Sequence, residues 1–228
     1  MILLAVASIA AEPQPPPIGG GWRQSGASLV LFDAQGAPLD EIGLGEFREE
    51  LRGGLIQRSS LKGGASADGR FAWRWKKTQT VRPGRADRVL GSTVSLSYLG
   101  SNGEPLWSSD SADAPAGIEP VIQSGDGETA LVVSKSSWGW SAACLSYAGT
   151  RVAEVAAAQR IERVALSRNG KFALALSGPI DAPLSYTFID VSSGTRKSLR
   201  AVEAPFGIFA IENDGAVLSS SSTVLRLR

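Results

Sequence analysis

Four segments of the chain share one turn signal, and that repeat constrains the fold more than any other feature. Ser66-Ala67-Asp68-Gly69, Ser124-Gly125-Asp126-Gly127, Ser167-Arg168-Asn169-Gly170 and Glu212-Asn213-Asp214-Gly215 each join two short apolar runs, with Glu212 replacing serine in the last copy. Asp-Gly and Asn-Gly between apolar runs are hairpin signals, because Asn, Asp and Gly accept the positive φ that tight turns of the right twist require. After the turns the side chains alternate with period two. Phe71, Trp73 and Trp75 stand against Ala72, Arg74 and Lys76, and Phe172, Leu174 and Leu176 stand against Ala173, Ala175 and Ser177. That is strand periodicity. Further short runs follow each pair, such as Val94–Tyr98 with Leu106-Trp107, and Ala143–Tyr147 with Val152–Val155, so each unit holds about four strands. The turn glycines Gly69, Gly127, Gly170 and Gly215 are separated by 58, 43 and 45 residues. The long first interval contains an inserted stretch, Lys76 to Arg88, which reads as a loop joining the second and third strands of its unit.

Four-stranded units at this period are the signature of propeller blades. The turn resembles that of TolB-like and WD-type β-propeller repeats, in which a Ser-Pro-Asp-Gly-Lys-like segment joins the first two strands of a blade. Ser66, Asp68 and Gly69, then Ser124, Asp126 and Gly127, then Ser167, Asn169 and Gly170 match it, without the proline before the aspartate and without a Trp-Asp dipeptide. The resemblance covers about residues 61–228 and implies architecture, not function. The expected fold is all-β, a small β-propeller-like repeat domain of about four four-stranded blades over residues 22–228, or five if Gly43 to Leu61 contributes strands. A β-sandwich and an open propeller fragment are the alternatives. Ala27 to Leu39 resembles the second half of a unit and Ile208 to Arg228 the first half, so the two ends are expected to complete a shared blade. Glu46 to Arg52 places Phe47 and Leu51 one helical turn apart, which predicts a short helix there.

Composition narrows the chemistry. The chain has 228 residues, 43% of them hydrophobic, enough for a sizeable core. It contains no histidine, which removes Ser-His-Asp and Cys-His nucleophiles, histidine metal sites and histidine pH switching. A single cysteine, Cys144, removes intramolecular disulfides and multi-cysteine metal sites. A net charge of +1 argues against a whole-domain nucleic-acid footprint. Met1 to Ala11 is an apolar run ending in small residues, followed by Glu12 and a Pro/Gly tether to Gly21. It reads as the end of a secretory signal peptide, although no basic residue precedes it, and it is too short for a stable transmembrane anchor. Residues 1–21 are therefore expected to be leader and tether, and the protein to be exported to the periplasm or the extracellular space.

The basic stretch is the leading candidate for binding. Arg74, Lys76, Lys77, Arg82, Arg85 and Arg88 face few acids and lie beside Phe71, Trp73 and Trp75. Such a surface suits an anionic ligand or an acidic protein partner, with arginine favoured where a carboxylate is gripped by two bonds. The plainer reading is that the aromatics fill the gap between blades and the charges are solvated. Trp138 and Trp140, in the equivalent loop of the second unit, form either a stacking platform or a plug between blades. Asp68, Asp126, Asn169 and Asp214 lack the spaced ligands of a calcium loop, so no metal and no cofactor are expected. Asp110 and Asp113 read as a solvated loop. Glu41, Asp110, Glu119 and Asp190 could serve a glycosidase only as a convergent pair, and no Gly-x-Ser-x-Gly or phosphate-loop motif is present. The leading reading is a non-catalytic ligand- or protein-binding or scaffold module. The alternative is a carbohydrate-active hydrolase or lyase.

Overall fold

The computed structural model describes residues 19–200, 210–218 and 224–226, so the apolar leader at 1–18 lies outside the described residues. Five antiparallel sheets follow one another along the chain. The first contains β1 (Gly21–Ser25), β2 (Ser28–Phe32) and β3 (Pro38–Gly43). The second contains β4 (Gly45–Arg52), β5 (Leu55–Ala65), β6 (Ala72–Arg82), β7 (Arg88–Leu99) and β8 (Pro105–Ser109). The third contains β9 (Val121–Gln123), β10 (Thr129–Ser136), β11 (Gly139–Ser146) and β12 (Arg151–Ala158). The fourth holds β13 (Arg160–Leu166), β14 (Phe172–Gly178), β15 (Ser185–Asp190) and β16 (Arg196–Arg200), and the fifth β17 (Ala210–Ile211), β18 (Ala216–Leu218) and β19 (Val224–Arg226). Within each sheet the described strands pair in sequence order. The chain is all-β with a propeller-like succession of blades.

Three local expectations change. Glu46 to Arg52 lies in β4 and not in a helix, because Gly53 and Gly54, at φ 57° and 77°, make the two-residue turn that folds β4 back onto β5. Leu51, the residue meant to bury a helical face, is 72% exposed. Among the described residues the chain ends do not share a sheet, since β1–β3 and β17–β19 form separate sheets. Lys76 to Arg88 is mostly strand: β6 and β7 pair from Ala72–Leu99 out to Arg82–Arg88, and only residues 83–87 form the turn. The long first repeat interval is therefore a lengthened hairpin.

The repeated turn works as its residues suggest. Ser66 Oγ donates to Asp68 Oδ1 at 2.7 Å and accepts from Phe71 N at 3.1 Å, while Gly69 N donates to the Ser66 carbonyl at 3.0 Å. Ser124 with Asp126 and Thr129, and Ser167 with Asn169 and Phe172, repeat the same bonds. The three serines are buried, so their hydroxyls need these partners. Successive turns also bond to one another. Trp22 N donates to the Gly69 carbonyl, Ala67 N to Gly125 O, Gly125 N to Arg168 O, and Asn169 N to Asn213 Oδ1. The turns thus form a belt that fixes each sheet against the next.

Four apolar clusters lie between consecutive sheets. On β14, Leu174 and Leu176 face the fifth sheet while Ala173 and Ala175 face the third. On β6, Trp73 and Trp75 face Val121, Ala130 and Val132 of the third sheet, while Ala72 joins Trp22, Leu29 and Leu31 of the first. β6 and β14 therefore each present bulk to the following sheet and small side chains to the preceding one, which lets twisted sheets pack face to face. Cys144 sits fully buried in the third–fourth cluster, and burial pushes its thiol up to about 12. Iodoacetamide should therefore leave the native thiol unmodified and label it only as the protein unfolds in urea; labelling of the native protein at the rate of free cysteine would contradict this packing.

Candidate functional site

Period-two alternation divides β6 between two environments. Arg74, Lys76, Thr78, Thr80 and Arg82 lie on one face, and Trp73, Trp75, Lys77, Gln79 and Val81 on the other. On the first face Lys76 sits between Leu61 of β5 and Ser95 of β7, and Arg74 between Gly63 and Ser97. This face looks toward the first sheet, and a cleft of about 670 Å³ opens between them. Arg74, Lys76, Ser59 and Ser95 line one side, Glu41 of β3 the other, and Ile42, Leu44 and Leu61 give it an apolar base. Arg74 and Lys76 are exposed, and neither makes an ion pair with a described residue. Two residues apart on one strand, they present positive charges about 7 Å apart. Glu41 Oε1 accepts from Ser28 Oγ at 2.6 Å, which holds that carboxylate on its own sheet.

The remaining sequence candidates are not gathered here. Lys77 points to the opposite face, where its ammonium donates to both carboxylate oxygens of Asp113 at 3.0 and 3.2 Å. Asp113 is 15% exposed in this pair, so it anchors the β8–β9 connection instead of lying in a solvated loop. Arg82, Arg85 and Arg88 occupy the far end of the β6–β7 hairpin, with Arg82 directly opposite Arg88. Trp138 is 57% exposed in the β10–β11 turn, whereas Trp140 lies in β11 opposite Lys135 and packs, half-buried, on the third–fourth cluster. The two tryptophans thus sit in different surroundings. Ser59, Ser95 and the apolar base were not evident from sequence. Their only signal was the alternation of β6, because the partner strands and their register are set by long-range pairing.

The acids are dispersed. Glu119 pairs with Lys62 at 3.0 Å, and Asp110 is exposed beyond β8. Asp190 accepts from Ser192 and Ser193, and those bonds hold its carboxyl below the usual range. For Asp68, burial works to raise the pKa, but the hydrogen bonds from Ser66 and Arg70 outweigh it and leave the carboxyl lowered. Asp68 and Asp126 spend an oxygen inside their own turns. Among the described residues no group of three or more Asp, Glu or Cys side chains is placed to hold a metal ion, and no helix is long and apolar enough to cross a membrane.

No protein-family model matches the chain, and no curated protein matches it. Similarity to solved structures is confined to shape. TolB from Acinetobacter baumannii is 10% identical with a TM-score of 0.36, over 80% of this chain and 53% of that one. A chain of the mitotic checkpoint complex is 13% identical with a TM-score of 0.40, over 90% of this chain and 72% of that one. A prolyl endopeptidase is 10% identical with a TM-score of 0.34, over 79% of this chain and 42% of that one. The chain thus spans about half the length of TolB and less of the peptidase.

Proposed function

We propose that the protein is a non-catalytic binding module, exported from the cell, that takes an extended acidic segment of a partner protein in the cleft between its first two sheets. The observation that carries this reading is the pair Arg74 and Lys76, free of ion pairs with described residues and held on a rigid strand at the cleft. An extended peptide places alternate side chains about 7 Å apart, so carboxylates at every second position match the two cations. Ser59 and Ser95 offer hydroxyls to the peptide backbone, and Ile42, Leu44 and Leu61 take apolar side chains between the acids. Glu41 disfavours ligands that crowd negative charge against β3, which gives the cleft polarity. The apolar run Met1 to Ala11 supports the exported compartment.

The carbohydrate-active alternative has less support, because Glu41 is the single member of the four candidate acids that lines the cleft. The test is fluorescence anisotropy with a labelled alternating Glu-Val peptide. Binding should weaken with salt and fall by about ten-fold or more in the Arg74→Ala/Lys76→Ala double variant, a loss of about 1.4 kcal/mol or more. Equal binding by wild type and variant would overturn the assignment.

A further inference from the structure

The second sheet extends past its neighbours. β6 ends thirteen residues after its turn glycine Gly69, whereas β10 ends nine after Gly127 and β14 eight after Gly170. The turns are bonded to one another as a belt, so this hairpin projects about 13 Å beyond the adjacent β10–β11 hairpin at the strand rise. The β4–β5 turn lies beside it at the same end, since Leu51, Ile56, Val81 and Val89 form one row across the four strands. The row holds aliphatic side chains alone. Its centre, Val81, is fully buried, and Arg58 bridges Glu49 at 2.7 Å and Asp87 at 2.6 Å from β5 to the β6–β7 turn. Its edges are open: Leu51 is 72%, Val89 51% and the bulged Leu90 43% exposed. Arg82 and Arg88 form the next row, on the opposite face of the hairpin, and Arg85 lies in its turn, all three exposed and without an ion pair to any described residue.

The geometry points to this projecting tip as a site of peripheral docking on an anionic lipid bilayer. Leu51, Val89 and Leu90 enter the boundary between headgroups and acyl chains while Arg82, Arg85 and Arg88 engage lipid phosphates. Charge complementarity and shape both favour this occupant. Exposed aliphatics on one face of a protrusion's end, with arginines free of ion pairs to described residues on its other face and in its turn, supply the two weak signals, apolar insertion and basic attraction, that reversible membrane attachment requires. A protein-docking centre is more often built on buried aromatic anchors, and the row has none. The like-charged Arg82 and Arg88 oppose each other across the strands, a destabilising pair that a phosphate between them relieves.

The test is flotation of the full chain with vesicles of phosphatidylcholine alone and of phosphatidylcholine mixed with phosphatidylglycerol. Binding is expected to the mixed vesicles, to weaken with salt, and to fall about 100-fold in the Arg82→Ala/Arg85→Ala/Arg88→Ala variant. The Leu51→Ser/Val89→Ser/Leu90→Ser variant is expected to lose binding at unchanged salt. Arg85→Ala and Leu51→Ser, single changes at exposed positions, keep the comparison readable if a triple variant melts early. Failure of wild type to bind mixed vesicles, or full binding by the serine variants, would overturn the proposal. So would arginine-dependent retention on polyglutamate without vesicle binding, which would mark the tip as a site for an acidic protein. The Glu-Val peptide reads the cleft separately, so either site can fail while the other stands.

Discussion

Replacing Gly127 by alanine is expected to destabilise the protein by about 3 kcal/mol or more, combining left-handed strain of about 1–2 kcal/mol with overpacking of about 1–3 kcal/mol. Gly127 sits at φ 72°, and an added Cβ would lie 2.7 Å from Phe71 Cδ2 and 2.8 Å from Ser66 Cβ. Neither neighbour yields easily. Ser66 is 5% exposed and bonded within its own turn, and Phe71 packs against Tyr98 and Tyr147. The Gly127 carbonyl also accepts from the Tyr98 hydroxyl at 2.6 Å, and that hydroxyl accepts from Gln123 Nε2. A shift of the turn therefore disturbs the contact between the second and third sheets. Gly26, at φ 57° with nothing near its missing Cβ, provides the control. Gly26→Ala should show the backbone strain alone. Urea midpoints that fall equally in both variants would show that the belt of turns does not lock the sheets.

Trp75→Ala is expected to cost about 3–5 kcal/mol, the range for removing a large buried aromatic. Trp75 is 6% exposed in the cluster between the second and third sheets, and its Nε1 donates to the Ala112 carbonyl at 2.6 Å. Truncation leaves a cavity and an unpaired carbonyl together. Trp75→Phe should retain much of the packing and lose about 1–3 kcal/mol for the orphaned acceptor. Trp138→Ala should stay within about 0.5 kcal/mol, as exposed positions usually do. Thermal melts of the three variants order these effects, and comparable losses at Trp75 and Trp138 would contradict the packing described.

The repeat was readable because its chemistry is local. Serine, aspartate and glycine at fixed spacing close their own turn, and the alternation that follows states which side chains are bulky and which are small. Trp73 and Trp75 fill the gap between sheets, as their pattern suggested. The failures arose where partners are distant in sequence. Phe47 and Leu51 sit four apart, which suits a helix, yet β4 is decided by the Gly53-Gly54 turn and the waiting edge of β5. Lys76 to Arg88 is polar and basic and so resembled a loop, but its backbone is satisfied by strands on both sides. The basic residues looked like one site because they are neighbours in the chain. Strand parity sends Lys77 to the opposite face from Lys76, and hairpin length carries Arg82, Arg85 and Arg88 away from Arg74. The cleft itself depends on β3 approaching β6, which only tertiary packing provides.

In the proposed function, Arg74 and Lys76 form a ligand site separate from the arginines at the hairpin end. The most direct measurement is anisotropy of the labelled Glu-Val peptide with wild type, with Arg74→Ala/Lys76→Ala and with Arg82→Ala/Arg85→Ala/Arg88→Ala, at matched melting temperatures. Wild type and the hairpin-end variant are expected to bind, with a loss of about ten-fold or more in the cleft variant alone. Loss in the hairpin-end variant with full binding by the cleft variant would contradict this and move the acidic ligand to the end of the hairpin.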